Sequence, residues 1–185
     1  METGGLRMAY DITIIRPEMK VDAVKPRGRG LDKDKRKALK KGLQTLHSLE
    51  IMATKIYKCQ ITSEPSELNT ALTAAMCNEM THMQDFQTKL YEYGFKPAKF
   101  RVRFWLVGYV FGLGSRMLGR ERMLKTGIWV ETKAVHHYGE LLAGAEWDDE
   151  TRVFIEKDWA DEHGHIARWK GFLERPDGMV DTRSA

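Results

Sequence analysis

Apolar side chains recur every three or four residues along four long stretches of the chain, the spacing of a single helix face. In the first stretch the inward series is Leu43, Leu46, Glu50, Ala53 or Thr54, Tyr57 and Ile61, which predicts a helix from about Asp32 or Asp34 to Ile61. The second series is Leu68, Leu72, Ala75, Glu79, His82, Phe86 and Leu90, on a helix from about Pro65 to Tyr93. Gly94 stops it and Pro97 lies beyond. A third helix is expected from about Arg120 to Ala143, with Gly144 as its stop. The fourth starts at Asp148 or Asp149 and carries Ile155, Trp159, Glu162, His165 or Ile166, Trp169 and Phe172 inward. It ends at Leu173 or Glu174, before Pro176-Asp177-Gly178.

Polar residues interrupt these apolar stripes at six positions: Glu50, Glu79, His82, Glu131, Glu162 and His165. Four of them form two Glu-x-x-His pairs, Glu79/His82 and Glu162/His165, and residues three apart share a helix face. A lone Glu followed by Glu-x-x-His, given twice, is the ligand set of a di-iron or di-manganese site inside a four-helix bundle. Spacing gives an independent argument. Glu50 and Glu79 are centred on the break at Glu64-Pro65, and Glu131 and Glu162 on the break near Trp147-Asp148-Asp149. Residues equidistant from the turn of an antiparallel hairpin sit level, here about 20 Å along each helix at roughly 1.5 Å per residue. Four carboxylates on core faces would be costly without cations to offset them. Two Fe ions fit this oxygen and imidazole set, and so does Mn. Each His should give its other ring N–H to an acceptor. Asp158, four residues before Glu162, is the candidate.

Between the second and third helices, Phe104 to Gly114 carries no charge. It is shorter than the roughly 20 residues that a membrane-spanning helix needs. Arginines bracket it at Arg101, Arg103, Arg116, Arg120 and Arg122. Such a segment serves either as a crossover covering the bundle or as a surface for a bilayer or an apolar partner. Gly108, Gly112 and Gly114 suit close helix packing and leave room for a slender ligand. The net charge is +4, but nine Lys or Arg against two Asp lie between Lys25 and Lys41. Pro26-Arg27-Gly28-Arg29-Gly30 reads as a flexible, solvated basic linker, with attraction to an anionic membrane surface and contact with RNA as the alternatives. The expected organisation is a basic arm over 1–31, a helical domain over 32–175 and a tail over 176–185. Ile12 to Ile15 reads as a strand or an extended arm. Cys59 and Cys77 lie at unequal distances from the first turn, which argues against a disulfide between those helices. Both are expected to be buried thiols in a reducing compartment. Arg7 and Asp11 break any secretory leader, so a cytoplasmic location is expected, peripheral to the membrane if the apolar segment docks there.

Several stretches together resemble the demethoxyubiquinone hydroxylase family of ferritin-like di-iron proteins. They are Glu50 with Lys55-Ile56-Tyr57, Glu79-x-x-His82, the glycine-rich run from Gly108 to Gly119, Val130-Glu131 with His136-His137-Tyr138, and Glu162-x-x-His165. The resemblance implies an all-α, ferritin-like four-helix bundle with a glycine-rich apolar crossover between helices two and three. It implies a monooxygenase that uses O2 and two irons to hydroxylate the ring of a demethoxyubiquinol-type quinol in ubiquinone biosynthesis. Under it the six residues above are the iron ligands, and His137 and Tyr138 act near the site. Peripheral membrane attachment follows from the same likeness, and a homo-oligomer is compatible with it. The electron donor is unspecified. Where the family has small residues beside the first ligand, this chain has Leu49 and Met52. A di-iron oxidase, a peroxide reductase or an iron-binding protein without an organic substrate would use the same cage.

Overall fold

Two helical hairpins and a connecting helix make up the structure, a computed structural model that describes residues 24–175. The helices are α1 (Lys33–Gln60), α2 (Glu67–Glu92), α3 (Arg101–Met117), α4 (Arg120–Gly144) and α5 (Asp149–Glu174). No strand occurs among the described residues. The expected Ile12 to Ile15 strand or arm and the Pro176-Asp177-Gly178 stop lie outside them.

Helix starts follow from capping oxygens. The Asp32 side chain accepts from the backbone N–H groups of Asp34 and Lys35, Ser66 from Asn69, and Asp148 from Thr151. The α1–α2 turn is closed by Asn69, which accepts from Thr62 N and donates to Thr62 O. Gly94 ends the α2 hairpin arm at φ 71°, a conformation that disfavours a side chain. The predicted boundaries thus hold to within a few residues.

Helix α1 packs on α2, α2 meets α5, α5 packs on α4, and α4 returns to α1. This closed ring of four surrounds a core that includes Leu43, Leu46, Ile56, Leu72, Phe86, Leu90, Leu124 and Ile155. Helix α3 lies across α1 and α4.

The glycines of α3 decide how closely it sits. A Cβ at Gly108 would stand 2.5 Å from Met52 O, and one at Gly112 would stand 2.6 Å from Ile56 O. Their role is therefore to bring the α3 backbone against that of α1, and they leave no room there for a ligand. A Cβ at Gly114 would meet nothing within 4 Å. Gly112→Ala should force the helices apart and destabilise the fold by about 1–3 kcal/mol. Gly114→Ala should stabilise it by up to about 1 kcal/mol, through helix propensity. Thermal melts of the two variants check this; equal melting temperatures would contradict the packing assignment.

The basic stretch before α1 is held in place rather than solvated at Arg27. Its Nε donates to Glu92 Oε2 at 2.8 Å and one terminal nitrogen to Asp148 Oδ1 at 2.5 Å. The other terminal nitrogen bonds Glu150. The backbone N–H of Lys25 also reaches Glu92 Oε1, at 3.0 Å. Arg27 thereby ties the end of α2 to the start of α5. The Lys25 ammonium, together with this guanidinium, depresses the Glu150 pKa to about 2.

The cysteines also differ from expectation. Cys77 is exposed and Cys59 is half-buried, and neither is bonded to the other. Their positions on α1 and α2 fall beside the inward stripe, not on it.

Candidate metal centre

The ring of helices brings all six predicted residues to one place. Glu50 comes from α1, Glu79 and His82 from α2, Glu131 from α4, and Glu162 and His165 from α5. All six are buried. They form two overlapping clusters. Glu50, Glu79, His82 and Glu162 each offer a donor atom within 4.8 Å of the others, and so do Glu79, Glu131, Glu162 and His165. Glu79 and Glu162 belong to both.

Each histidine points its Nδ1 at the carboxylates. His82 Nδ1 is 3.0 Å from Glu162 Oε1. His165 Nδ1 is 2.9 Å from Glu79 Oε1 and 3.6 Å from Glu131 Oε1. The back of the His82 ring meets acids: Nε2 is 3.2 Å from Asp161 Oδ2 and 3.6 Å from Asp158 Oδ1. Asp158 is fully buried on the inward face of α5, in the position expected for Trp159. Trp159 is half-buried and donates to Val135 O. Residues 158 and 159 differ by one 100° step, and a periodic reading of Ile155 and Glu162 admits either. Asp161 is the hydrogen-bonding partner that the sequence reading missed. Its signal was a second acid one turn beyond Asp158.

Two tyrosines cross between the hairpins. Tyr138 of α4 donates to Glu50 Oε1 of α1 at 2.9 Å, and Tyr57 of α1 donates to Glu131 Oε1 of α4. Both rings are fully buried. Each tyrosine lies seven residues beyond the lone Glu of its own helix and serves the lone Glu of the other. Trp169 Nε1 donates to the Tyr57 oxygen at 2.9 Å, so the phenol proton is directed to Glu131. Gly127 makes space for that indole: a Cβ there would stand 2.9 Å from Trp169 Cδ1. Burial, reinforced by Glu131 for Tyr57 and Glu50 for Tyr138, pushes both phenols well above their ordinary range. They remain donors.

His137 lies apart from this network. It is partly exposed on α4, with Nδ1 2.9 Å from Glu140 Oε2. His136 beside it is exposed, 3.4 Å from Glu140 Oε1. The two follow the outward side of the helix, since only Tyr138 repeats the inward phase of Glu131. His47 is buried one turn before Glu50, with no hydrogen bond to either ring nitrogen.

The electrostatics are those of a crowded set of acids. Burial, then the Glu162 charge, raises Glu50 to about 7. Burial and Glu131 raise Glu162 to about 8. Burial raises Asp158 to about 7, and burial, reinforced by Glu162, Glu131 and Glu50, holds Glu79 well above its ordinary value. Burial opposes the charge on His165, but hydrogen bonds and attraction from Glu131 and Glu162 outweigh it and raise that group to about 9. Several carboxylate oxygens lack a hydrogen-bond partner. Glu79 Oε2, Glu131 Oε2 and Glu162 Oε2 are buried without one. Such groups are costly to bury unless something binds them. Carboxylate oxygens and imidazole nitrogens, with no thiolate among them, suit hard or borderline ions.

A helical ring with two buried carboxylate–histidine clusters sharing two acids has the makeup of a di-iron carboxylate protein. The family model described as ubiquinone biosynthesis protein COQ7 matches residues 37–168, and the chain belongs to that family. Its members are di-iron hydroxylases of ubiquinone biosynthesis, and the buried clusters are consistent with such a centre. No curated protein gives a significant match to the chain. No helix among the described residues is long and apolar enough to cross a membrane.

Proposed function

We propose that the chain hydroxylates the ring of a demethoxyubiquinol-type quinol, with O2 as the oxygen source and two irons as the cofactor. The observation that carries the metal assignment is the set of unpartnered carboxylate oxygens on Glu79, Glu131 and Glu162, buried and clustered with His82 and His165. In this reading Glu50 and His82 hold one ion, Glu131 and His165 hold the other, and Glu79 and Glu162 are shared. The family implies iron, and nothing favours manganese over it. The ring of α1, α2, α5 and α4 is consistent with a ferritin-like domain over residues 32–175, with α3 as the crossover.

When bound, the iron pair supplies the redox chemistry that activates O2. In the overall reaction a ring C–H becomes C–OH, the second oxygen atom leaves as water, and a reductant supplies two electrons and two protons. The chain's own part is to hold the charges and exclude water. Tyr57 and Tyr138 each occupy one oxygen of a lone Glu, which leaves the other oxygen turned to the centre. Asp161 and Asp158 fix the His82 ring from behind, so that Nδ1 is the free ligand atom. A catalytic role fits Tyr138, which touches Glu50, better than His137, which pairs with Glu140. The exposed apolar face of α3 and its arginines support peripheral attachment to the membrane where a polyprenyl quinol resides.

Leu49 and Met52 are buried beside Glu50, where the family has smaller residues, and this favours a second reading as an oxidase or peroxide reductase without an organic substrate. The test is iron-loaded protein with a short-chain demethoxyquinol, reductant and O2. The expected result is a product with one added ring hydroxyl. Rapid peroxide turnover with the quinol unchanged would establish the second reading instead.

A further inference from the structure

The side of α3 turned away from α1 is apolar and open to solvent, with Leu106, Val110 and Leu113 among its exposed residues. The surrounding charge is strongly one-sided. Between Lys96 and Val130 the chain has eight Lys or Arg and one acid, Glu121. At the α4 edge of this face lies a pocket of about 230 Å³ lined by Phe111, Arg122, Lys125, Thr126 and Trp129. Phe111 and Trp129 stack with centroids 5.1 Å apart and planes 14° apart, forming an apolar wall. Arg122 makes no hydrogen bond or ion pair among the described residues. Among the described residues Lys125 pairs only with exposed Glu121, and a solvated pair of that kind exchanges at little cost.

The occupant must suit both halves of this pattern. A second copy of the chain would set cation against cation, with one acid per copy to offset them. A nucleic acid would lay phosphates over the uncharged run from Phe104 to Gly114. A bilayer surface satisfies both, because acyl chains cover the apolar face while lipid phosphates meet the basic rim.

We propose that the pocket between α3 and α4 takes the phosphate of an anionic phospholipid headgroup. Arg122 and Lys125 are its counter-charges. The Phe111–Trp129 pair lies at the level where headgroup passes into acyl chain, the depth that aromatic side chains favour. Helix α3 then lies in the plane of the membrane surface. The proposal rests on the membrane attachment read above and adds to it a specific headgroup site.

The test is sedimentation of the full chain with vesicles of phosphatidylcholine alone and of phosphatidylcholine with phosphatidylglycerol. Wild type, Arg122→Gln and Arg116→Gln are compared; the last removes one charge from the same face outside the pocket. The expected result is at least about tenfold tighter binding to the anionic vesicles by wild type. Arg116→Gln should lose about fivefold, the effect of one basic residue near an anionic surface. Arg122→Gln should lose about fiftyfold, because charge-assisted hydrogen bonds are lost as well. Equal losses in the two variants would overturn the headgroup site and leave membrane attachment standing. Equal wild-type binding to both vesicles would do the same, with attachment then purely apolar. No binding to either vesicle would remove the attachment reading and the site with it.

Discussion

Glu79→Ala and Glu162→Ala should each leave the chain unable to retain either iron, with hydroxylation lost to below detection. Both residues belong to both clusters, so removing either one takes a donor from two ions at once. It also removes one of four negative charges that offset a dinuclear core. Glu50→Ala should be milder, since Glu50 belongs to one cluster only. Asp161→Asn should be milder still. That residue touches the rear of the His82 ring, and losses behind a metal-bound histidine are typically about 10- to 100-fold in affinity. Iron per chain after reconstitution and desalting, measured for the four variants, checks the order. About two ions per chain are expected in the wild type. Two ions retained in Glu79→Ala, with an unchanged absorption spectrum, would mean that the clusters are not the iron site.

Removing the metal should make the protein's stability fall as pH rises from about 6 to 9. Glu50 stands at about 7 and Glu162 at about 8, both raised by burial and by neighbouring charge. Asp158 stands at about 7, raised by burial. The folded, metal-free chain therefore holds protons that the unfolded chain has already released near its ordinary carboxylate values. Where the folded state binds more protons, raising pH favours unfolding. His165, raised to about 9, acts in the same direction, because its imidazolium is stabilised only in the fold and that advantage is lost as pH rises through 9. Glu150, depressed to about 2, is ionised throughout this window and contributes no slope. Iron replaces the protons as the balancing charge, so the loaded protein should be nearly flat over the same range. Thermal melts at pH 6 and pH 9, with chelator or with ferrous iron under anaerobic conditions, make the comparison. A drop of about 10 °C or more is expected for the metal-free form only. A metal-free protein more stable at pH 9 than at pH 6 would contradict the charge assignment.

The parts of the molecule legible in the sequence are those where one residue type interrupts a regular stripe. Glu79 and His82 sit in phase with Leu72 and Phe86, so their place in the core could be read directly. The turn-symmetric spacing of the two hairpins supplied their height. Contacts between distant segments were not legible. Tyr57 sat on an inward series and Tyr138 came with the family resemblance, and their equal offsets from Glu50 and Glu131 were visible, but that each serves the opposite hairpin depends on which helices become neighbours. Arg27 read as solvated because its partners, Glu92, Asp148 and Glu150, are far along the chain. The apolar run in α3 looks the same in sequence whether buried or exposed. What decides it is that Gly108 and Gly112 form a narrow contact stripe and leave the larger side chains outside.

Each cluster draws donors from both hairpins: Glu162 of α5 completes the one that contains Glu50, and Glu79 of α2 completes the one that contains Glu131. Neither half of the polypeptide, made alone, has a full coordination shell for any ion. Under the proposed assignment the centre cannot be charged during synthesis until the last helix has emerged and docked, which makes cofactor insertion a late event in maturation.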